Sequence, residues 1–370
     1  MQMEDRSRTW AEISLDALEQ NYKTIVSRLP GKCRFMGLVK ADAYGHGAVR
    51  VAEKLQSLGA NYLAVATPSE ALELRGAGIG LPVLVLGATQ PDMICSLADE
   101  DITQTVVSAQ AAKAYCGALG DRSLRVHIKV DTGMSRLGIV CSGRLEEAAR
   151  EIQEILLLPN LECEGIYTHL ATSDLPYDNN TNEQVRLFNS LVDRVYKTSG
   201  FLFKIKHCAN SGAYINYPET MGDMCRPGIA LYGYPPAGFA GLRPVMTLKT
   251  RIAQIKDIAP GAGVSYGRTY IADRKMRLAV LPVGYADGLH RCLSGRFAFT
   301  IGSKRAPQIG RICMDMCMAD VTDIEAGPGD EAIVFGENAF ENASTLAARA
   351  GTIPYEILCA VSSRVPRYFR

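Results

Sequence analysis

Up to about residue 233 the chain alternates between short apolar runs of β-prone residues and longer stretches of helical character. The runs are FMGLVK (35–40), YLAVA (62–66), PVLVLG (82–87), ITQTVV (102–107), RVHIKV (125–130), CEGIYTHL (163–170), FKIKHCAN (203–210) and CRPGIALYG (225–233). Between them lie amphipathic segments such as AVRVAEKLQSLG, PSEALELRGAG and RLEEAAREIQEIL. In the last of these, Leu145, Ala148, Ala149, Ile152 and Ile155 recur at helical spacing while Glu146, Glu147, Arg150 and Glu151 face away. Gly59 and Gly78 stand where a helix C-cap is expected.

Eight strand–helix units with near-continuous apolar strands are what a closed parallel barrel requires, because both faces of each strand are covered. The predicted fold class is therefore α/β, a (β/α)8 TIM-type barrel over residues 13–240, with a doubly wound open sheet as the alternative. After about residue 240 the pattern changes. VMTLKTRIAQIKDI, MRLAVLPVGYA, RFAFTIGSKRAPQIG and DEAIVFG are strand-like, have period-2 stretches and are separated by Gly, Pro and Asp turns. Residues 241–370 thus read as a second, mostly β domain, and residues 1–12 as a segment that packs with it.

Composition narrows the function. Forty Lys and Arg balance 39 Asp and Glu, so the chain has no electrostatic footprint for nucleic acid or an anionic membrane surface. Its partner is expected to be a small molecule. The eleven cysteines form no CxxC clusters of zinc-site spacing and read as reduced thiols. The amino terminus lacks an apolar h-region, and no stretch approaches the ~18–20 apolar residues of a membrane helix. A cytoplasmic location is the expectation.

In a barrel of this kind the chemistry gathers at the carboxyl ends of the strands. Those ends carry Lys40, Lys129 with Asp131, His169, Asn210 with Ser211, and Arg226 with Gly228. A lone strand-tip lysine is ordinarily a solvated charge. Partial burial at a barrel rim, however, would strip its proton, as a Schiff base with pyridoxal phosphate requires. The loops after the seventh and eighth runs, Asn210-Ser211-Gly212 and Arg226-Pro227-Gly228-Ile229, stand where such barrels often hold phosphate.

The motifs VKADAYGHGA, KVDTGMSRLG, THLATSD, ANSGAYI, RPGIALYG, VSYGRTY, VGYADG, GRICMDM and YEILCAVSSRVPR occur in this order over essentially the whole chain. Together they resemble the alanine racemase family, the fold-type III pyridoxal phosphate enzymes. The resemblance implies a cytoplasmic homodimer with shared active sites that interconverts L- and D-alanine and supplies D-alanine for peptidoglycan. Lys40 would hold the cofactor and act as one base. Tyr266, from the partner subunit, would act as the other on the opposite face of the α-carbon, as racemisation requires. Arg226 would hydrogen-bond the pyridine nitrogen, and a guanidinium, which keeps its proton, makes the ring a weaker electron sink than a carboxylate would.

The same resemblance assigns phosphate contacts to Tyr44, Ser211, Gly228, Ile229 and Tyr355, and ring contacts to His169 and Asn210. Arg136 would steer the substrate carboxylate, and Met314 with Asp315 would close that end of the pocket from the other subunit. Asp174, Tyr285, Arg291 and Arg311 match an approach corridor. Lys129 would be carbamylated, holding Arg136; the alternative is an ordinary lysine paired with Asp131. Tyr355 would leave room for a methyl side chain. No metal is expected. Met316 departs from the family, which more often has a glutamine there. The competing readings are a serine/alanine racemase of the same family, a fold-type III decarboxylase, which would carry a cysteine-centred motif and an acidic partner for the ring, and a non-catalytic pyridoxal phosphate-binding barrel.

Overall fold

The computed structural model describes residues 8–236 and 239–370. Residues 1–7 of the expected amino-terminal segment lie outside the described residues. Strand β1 (Thr9–Ile13) opens the chain, and the barrel follows. Its strands are β2 (Arg34–Leu38), β3 (Tyr62–Val65), β4 (Val83–Val85), β5 (Thr103–Val106), β6 (Leu124–Asp131), β8 (Leu161–Tyr167), β9 (Ile205–His207) and β10 (Met224–Cys225), with the two-residue β7 (Ile139–Val140) beside β6. They run parallel in the order β10-β2-β3-β4-β5-β6-β8-β9. Backbone bonds from Asp223 N to Lys206 O (3.0 Å) and Arg226 N to Ala209 O (2.9 Å) draw the two ends of the sheet together, so the barrel is nearly closed.

The strands are almost wholly buried, as their unbroken apolar runs require. The helices outside them turn one stripe inward: Ala148, Ala149, Ile152 and Ile155 are buried in Leu145–Leu156, while Glu146 and Arg150 are exposed. Thr67 starts the helix Pro68–Gly76 with a capping box closed by Glu70.

Two of the sequence expectations for strands change. Only Cys225 of CRPGIALYG lies in a strand, Met224–Cys225; Pro227 has no N–H to continue a ladder, and Gly228–Leu231 turns into a short helix. FKIKHCAN is a strand only at Ile205–His207, after which Asn210 caps the helix Ser211–Asn216 by accepting from Ala213 N at 2.9 Å.

The remaining strands are β11 (Met246–Arg251), β12 (Gln254–Ile258), β13 (Gly263–Val264), β14 (Tyr270–Ile271), β15 (Met276–Leu281), β16 (Ala298–Ile301), β17 (Lys304–Ile309), β18 (Cys317–Asp320), β19 (Glu331–Phe335) and β20 (Arg367–Phe369). Apart from the β13–β14 ribbon, they join β1 in one sheet ordered β12-β15-β18-β17-β16-β19-β11-β1-β20. Strand β1 is antiparallel to β11 and parallel to β20. The described chain therefore passes from this sheet into the barrel and returns. Among the described residues no helix is long and apolar enough to cross a membrane.

Candidate active site

Lys40 stands two residues past the end of β2, where the backbone does something unusual. Ala41, Asp42, Ala43 and Tyr44 all have φ between 51° and 54°, a left-handed turn made by four residues that carry a Cβ. Such a turn costs about 1–2 kcal/mol per residue, so outside contacts must hold it. Glu70 Oε1 accepts from Ala41 N at 2.7 Å, Asp42 Oδ1 accepts from Ala48 N at 2.7 Å, and the buried His46 ring meets the carbonyls of Ala43 (2.9 Å) and Tyr44 (3.0 Å) through Nδ1. The carboxylate that caps the neighbouring helix is thus also the one that fixes the residue after Lys40.

Lys40 is partly buried, and its proton affinity is lowered, first by that burial and then by the Arg136 charge; Glu70 and Cys359 oppose the shift. Arg226, 4% exposed, donates to His207 Nδ1 (2.6 Å) and to the carbonyls of Thr168 (2.9 Å) and Cys208 (3.1 Å). Tyr167 packs under this group: its ring stacks on His207 at 4.7 Å, and both Lys129 and Arg226 lie over its face. His169 is held neutral, its pKa lowered to about 2 by burial and by the cations Arg226, Lys129, Arg136 and Lys40.

Lys129 lies in the same cluster, 5% exposed, with a proton affinity well below that of an ordinary lysine because of burial and then Arg226 and Arg136. Among the described residues no carboxylate lies within ion-pair distance of it. Asp131 faces its own loop and accepts from Gly133 N (2.9 Å) and Ser135 N (3.0 Å). Arg136 is exposed on that loop.

On another side of the rim, two tyrosine hydroxyls converge. The rings of Tyr44 and Tyr355 are 5.7 Å apart, and among the described residues neither hydroxyl has a hydrogen-bond partner. Burial raises the pKa of both, so each keeps its proton as a donor. A Cβ on Gly228 would come within 2.8 Å of the Tyr44 hydroxyl, so only glycine leaves that space open. Ser211 Oγ accepts from Ala230 N at 3.2 Å and ties the two loops, including Ile229, into one edge. Asn210 Oδ1 also accepts from Ser173 Oγ at 2.7 Å, which places it beside exposed Asp174. This cradle of two phenols, a hydroxyl and a bare backbone fits the phosphate of pyridoxal phosphate, and Lys40 and Arg226 fit its aldehyde and ring ends.

Tyr266 belongs to a second cluster in the other domain. It follows Ser265, which is held at φ 64° with its Oγ donating to Arg311 O at 2.6 Å. Tyr266 is 71% exposed and, with Met314, Asp315 and Met316, lines a groove of about 700 Å³. Arg364 donates to Asp315 Oδ1 at 2.8 Å and to buried Asp287 at 2.8 Å, and Arg8 also reaches Asp287 (2.7 Å). That carboxylate anchors the turn holding Tyr285, which is 43% exposed. Arg291 is exposed nearby in sequence.

Sequence reasoning overlooked His207, His127, Tyr167 and Glu70. A usable signal was present: besides His169, two more of the chain's five histidines fall inside apolar barrel runs, where a polar ring needs a partner.

Among known proteins, the family model "Alanine racemase, N-terminal domain" matches residues 13–236, and "Alanine racemase, C-terminal domain" matches residues 245–369. The chain is 43% identical over 367 residues to an alanine racemase of Desulfovibrio desulfuricans, covering 97% of each. It superposes on an alanine racemase of Clostridium difficile 630 with a TM-score of 0.92 at 39% identity, covering 98% of this chain and 95% of that one. A Bacillus anthracis alanine racemase with bound L-Ala-P gives 0.91 at 34% identity, with the same coverage.

Proposed function

Because the chain belongs to the alanine racemase family of pyridoxal phosphate-dependent isomerases, we propose that it racemises alanine by a two-base mechanism, with Lys40 and Tyr266 as the bases. The observation that carries this reading is the surroundings of Arg226. Its guanidinium is held by an imidazole and two carbonyls rather than by a carboxylate. The group facing the ring nitrogen is therefore one that keeps its own proton, which favours return of the substrate proton over transamination or decarboxylation.

When bound, pyridoxal phosphate supplies the electron sink that acidifies the substrate α-carbon. Tyr44, Tyr355, Ser211, Gly228 and Ile229 hold the phosphate end, and His169 and Asn210 border the ring. Arg136 receives the substrate carboxylate. Lys40, with its lowered proton affinity, takes or returns the α-proton on one face, while a tyrosine hydroxyl does the converse on the other. One proton leaves the carbon and one is restored, so the balance closes.

The second hydroxyl comes from Tyr266 of another copy of the chain. Support for a shared-site homodimer is the setting of Tyr266: a strained turn presents a large apolar ring to solvent, beside Met314 and Met316, both about half-exposed. A buried Lys129 with no carboxylate partner among the described residues, near the charges of Arg226 and Arg136, favours carbamylation, which turns a disfavoured cation into an anion able to hold Arg136. Tyr355 limits the side-chain space, so alanine is the preferred substrate and serine a weaker one. We assign the product to peptidoglycan assembly and the enzyme to the cytoplasm.

The test is direct. Protein reconstituted with pyridoxal phosphate should show a visible band that borohydride reduces onto a lysine, and should convert L-alanine to D-alanine by chiral chromatography. A reducible band without racemisation would leave a non-catalytic binding protein, and serine turned over as well as alanine would leave a serine/alanine racemase.

A further inference from the structure

Beneath Arg226, the interior of the barrel carries a line of side chains that no catalytic role uses. Arg226 Nη1 is 2.6 Å from His207 Nδ1, His207 Nε2 is 2.9 Å from His127 Nδ1, and His127 Nε2 is 3.3 Å from Glu164 Oε2. The Tyr62 hydroxyl donates to the same Glu164 oxygen at 3.2 Å. Both imidazoles are fully buried, so every nitrogen on them needs a defined role.

The protons follow by elimination. A guanidinium has donors and no acceptor, so His207 Nδ1 must accept. Burial, with Arg226 adjacent, keeps His207 neutral, so its one proton sits on Nε2 and is donated to His127 Nδ1. Burial also keeps His127 neutral, so its proton sits on Nε2 and points at Glu164. The hydrogen bond from His127 in turn holds Glu164 below the usual carboxylate range. Every bond in the line runs one way, from Arg226 to Glu164.

Two independent features make the line a built one. Val126 pairs with Cys163 but His127 pairs with Gly165, so Glu164 is the extra residue of a β-bulge, the device by which a strand re-aims one side chain. Beside it, a Cβ on Gly165 would stand 2.7 Å from the His127 ring, so the missing side chain makes room for the imidazole.

We propose that Glu164 is a positioning residue for the reaction: as the terminal acceptor it fixes the tautomers of His127 and His207, and through them the orientation of the Arg226 guanidinium. The proposal rests on the reading that Arg226 faces the cofactor ring. If the acceptor is removed, His127 Nε2–H loses its partner. Reversing the line to satisfy it would put a proton on His207 Nδ1, directly against Arg226.

The experiment is nitrogen-15 NMR of histidine-labelled protein, with and without pyridoxal phosphate. His127 and His207 should both appear as Nε2–H tautomers with unprotonated Nδ1; a proton on Nδ1 of either ring overturns the proposal, and this needs no variant to fold. In Glu164→Ala the protected His127 Nε2–H signal should be lost and kcat/KM should fall about tenfold, mainly in kcat. Glu164→Gln, whose amide oxygen can still accept, should keep the His127 signal and recover kcat/KM to within about threefold of the unmodified enzyme. A folded Glu164→Ala with unchanged signal and rate, or a folded Glu164→Gln as impaired as Glu164→Ala, refutes it. The tautomers are read without turnover, so this outcome stands apart from whether the unmodified protein racemises alanine.

Discussion

Replacing Tyr44 by phenylalanine removes one oxygen from the proposed phosphate cradle and leaves the rest of the residue in place. The ring would keep its contacts with Tyr232 (5.0 Å) and Tyr355 (5.7 Å), which hold it 95% buried. The hydroxyl has no partner among the described residues and keeps its proton, because burial raises its pKa; beside Gly228 it can donate to an anion. A hydrogen bond to a charged group contributes about 1.5–3 kcal/mol, which at 1.4 kcal/mol per decade predicts pyridoxal phosphate binding weakened about 10- to 150-fold. The cofactor-free protein should be about as stable as before, since the ring keeps its packing and no hydrogen bond to a described residue is lost. Titrating cofactor into cofactor-free protein and following the visible band gives the dissociation constant, and urea unfolding of the same preparation gives the stability. A change in affinity below about threefold would refute the cradle, and so would a loss of stability that alone accounts for the weaker binding.

Three further outcomes are expected. Lys40→Ala and Tyr266→Phe chains should each be nearly inactive, yet mixing them should restore part of the activity; no recovery despite proven subunit exchange would refute the shared site. Tyr355→Asn should move kcat/KM from alanine towards serine, and an unchanged ratio in side-by-side assays would mean that the ring does not set the side-chain space. His46 should make the fold acid-sensitive: its pKa is lowered from 6.5 to about 4, chiefly by burial. The unfolded chain therefore takes up a proton first, and stability is lost as pH falls from 6.5 towards 4. Linkage puts the loss at about 2 kcal/mol between pH 7.5 and pH 5. Urea unfolding of His46→Gln should show a pH dependence shallower by that amount, and identical slopes would refute the assignment.

Much of this was legible because barrels and sheets write different periods. The apolar runs at 62–66 and 125–130 could be read as strands covered on both faces, and period-2 texture marked the second domain. Lys40, Arg226 and Tyr266 stand out in the sequence as candidates because each lies in a motif at the end of an element. Contacts that cross the barrel could not be read. The Glu164 bulge depends on a one-residue offset between two strands, and no local pattern in CEGIYTHL announces it. The left-handed turn at Ala41–Tyr44 was equally hidden, since alanine and tyrosine rarely adopt φ above zero; a tertiary bond from Glu70 and local bonds from His46 hold it. CRPGIALYG was overextended because its apolar content outweighed the proline inside it.

The parallel pairing of β1 with β20 has a temporal side. Arg367, on β20, donates through Nε to the carbonyl of Gly45 at 3.1 Å, and the Arg50 guanidinium lies 5.5 Å over the Phe369 ring. The turn that follows Lys40 is thus clasped by residues more than 300 positions later in the chain. On the ribosome, the barrel strands can assemble as they emerge, but this turn has its full set of contacts only after β20 has been made and has slotted in beside β1. Up to that moment, the turn after Lys40 would be held by its bonds to Glu70, Asp42 and His46. Strand β20 therefore adds a late clasp to a turn whose other contacts form within the barrel.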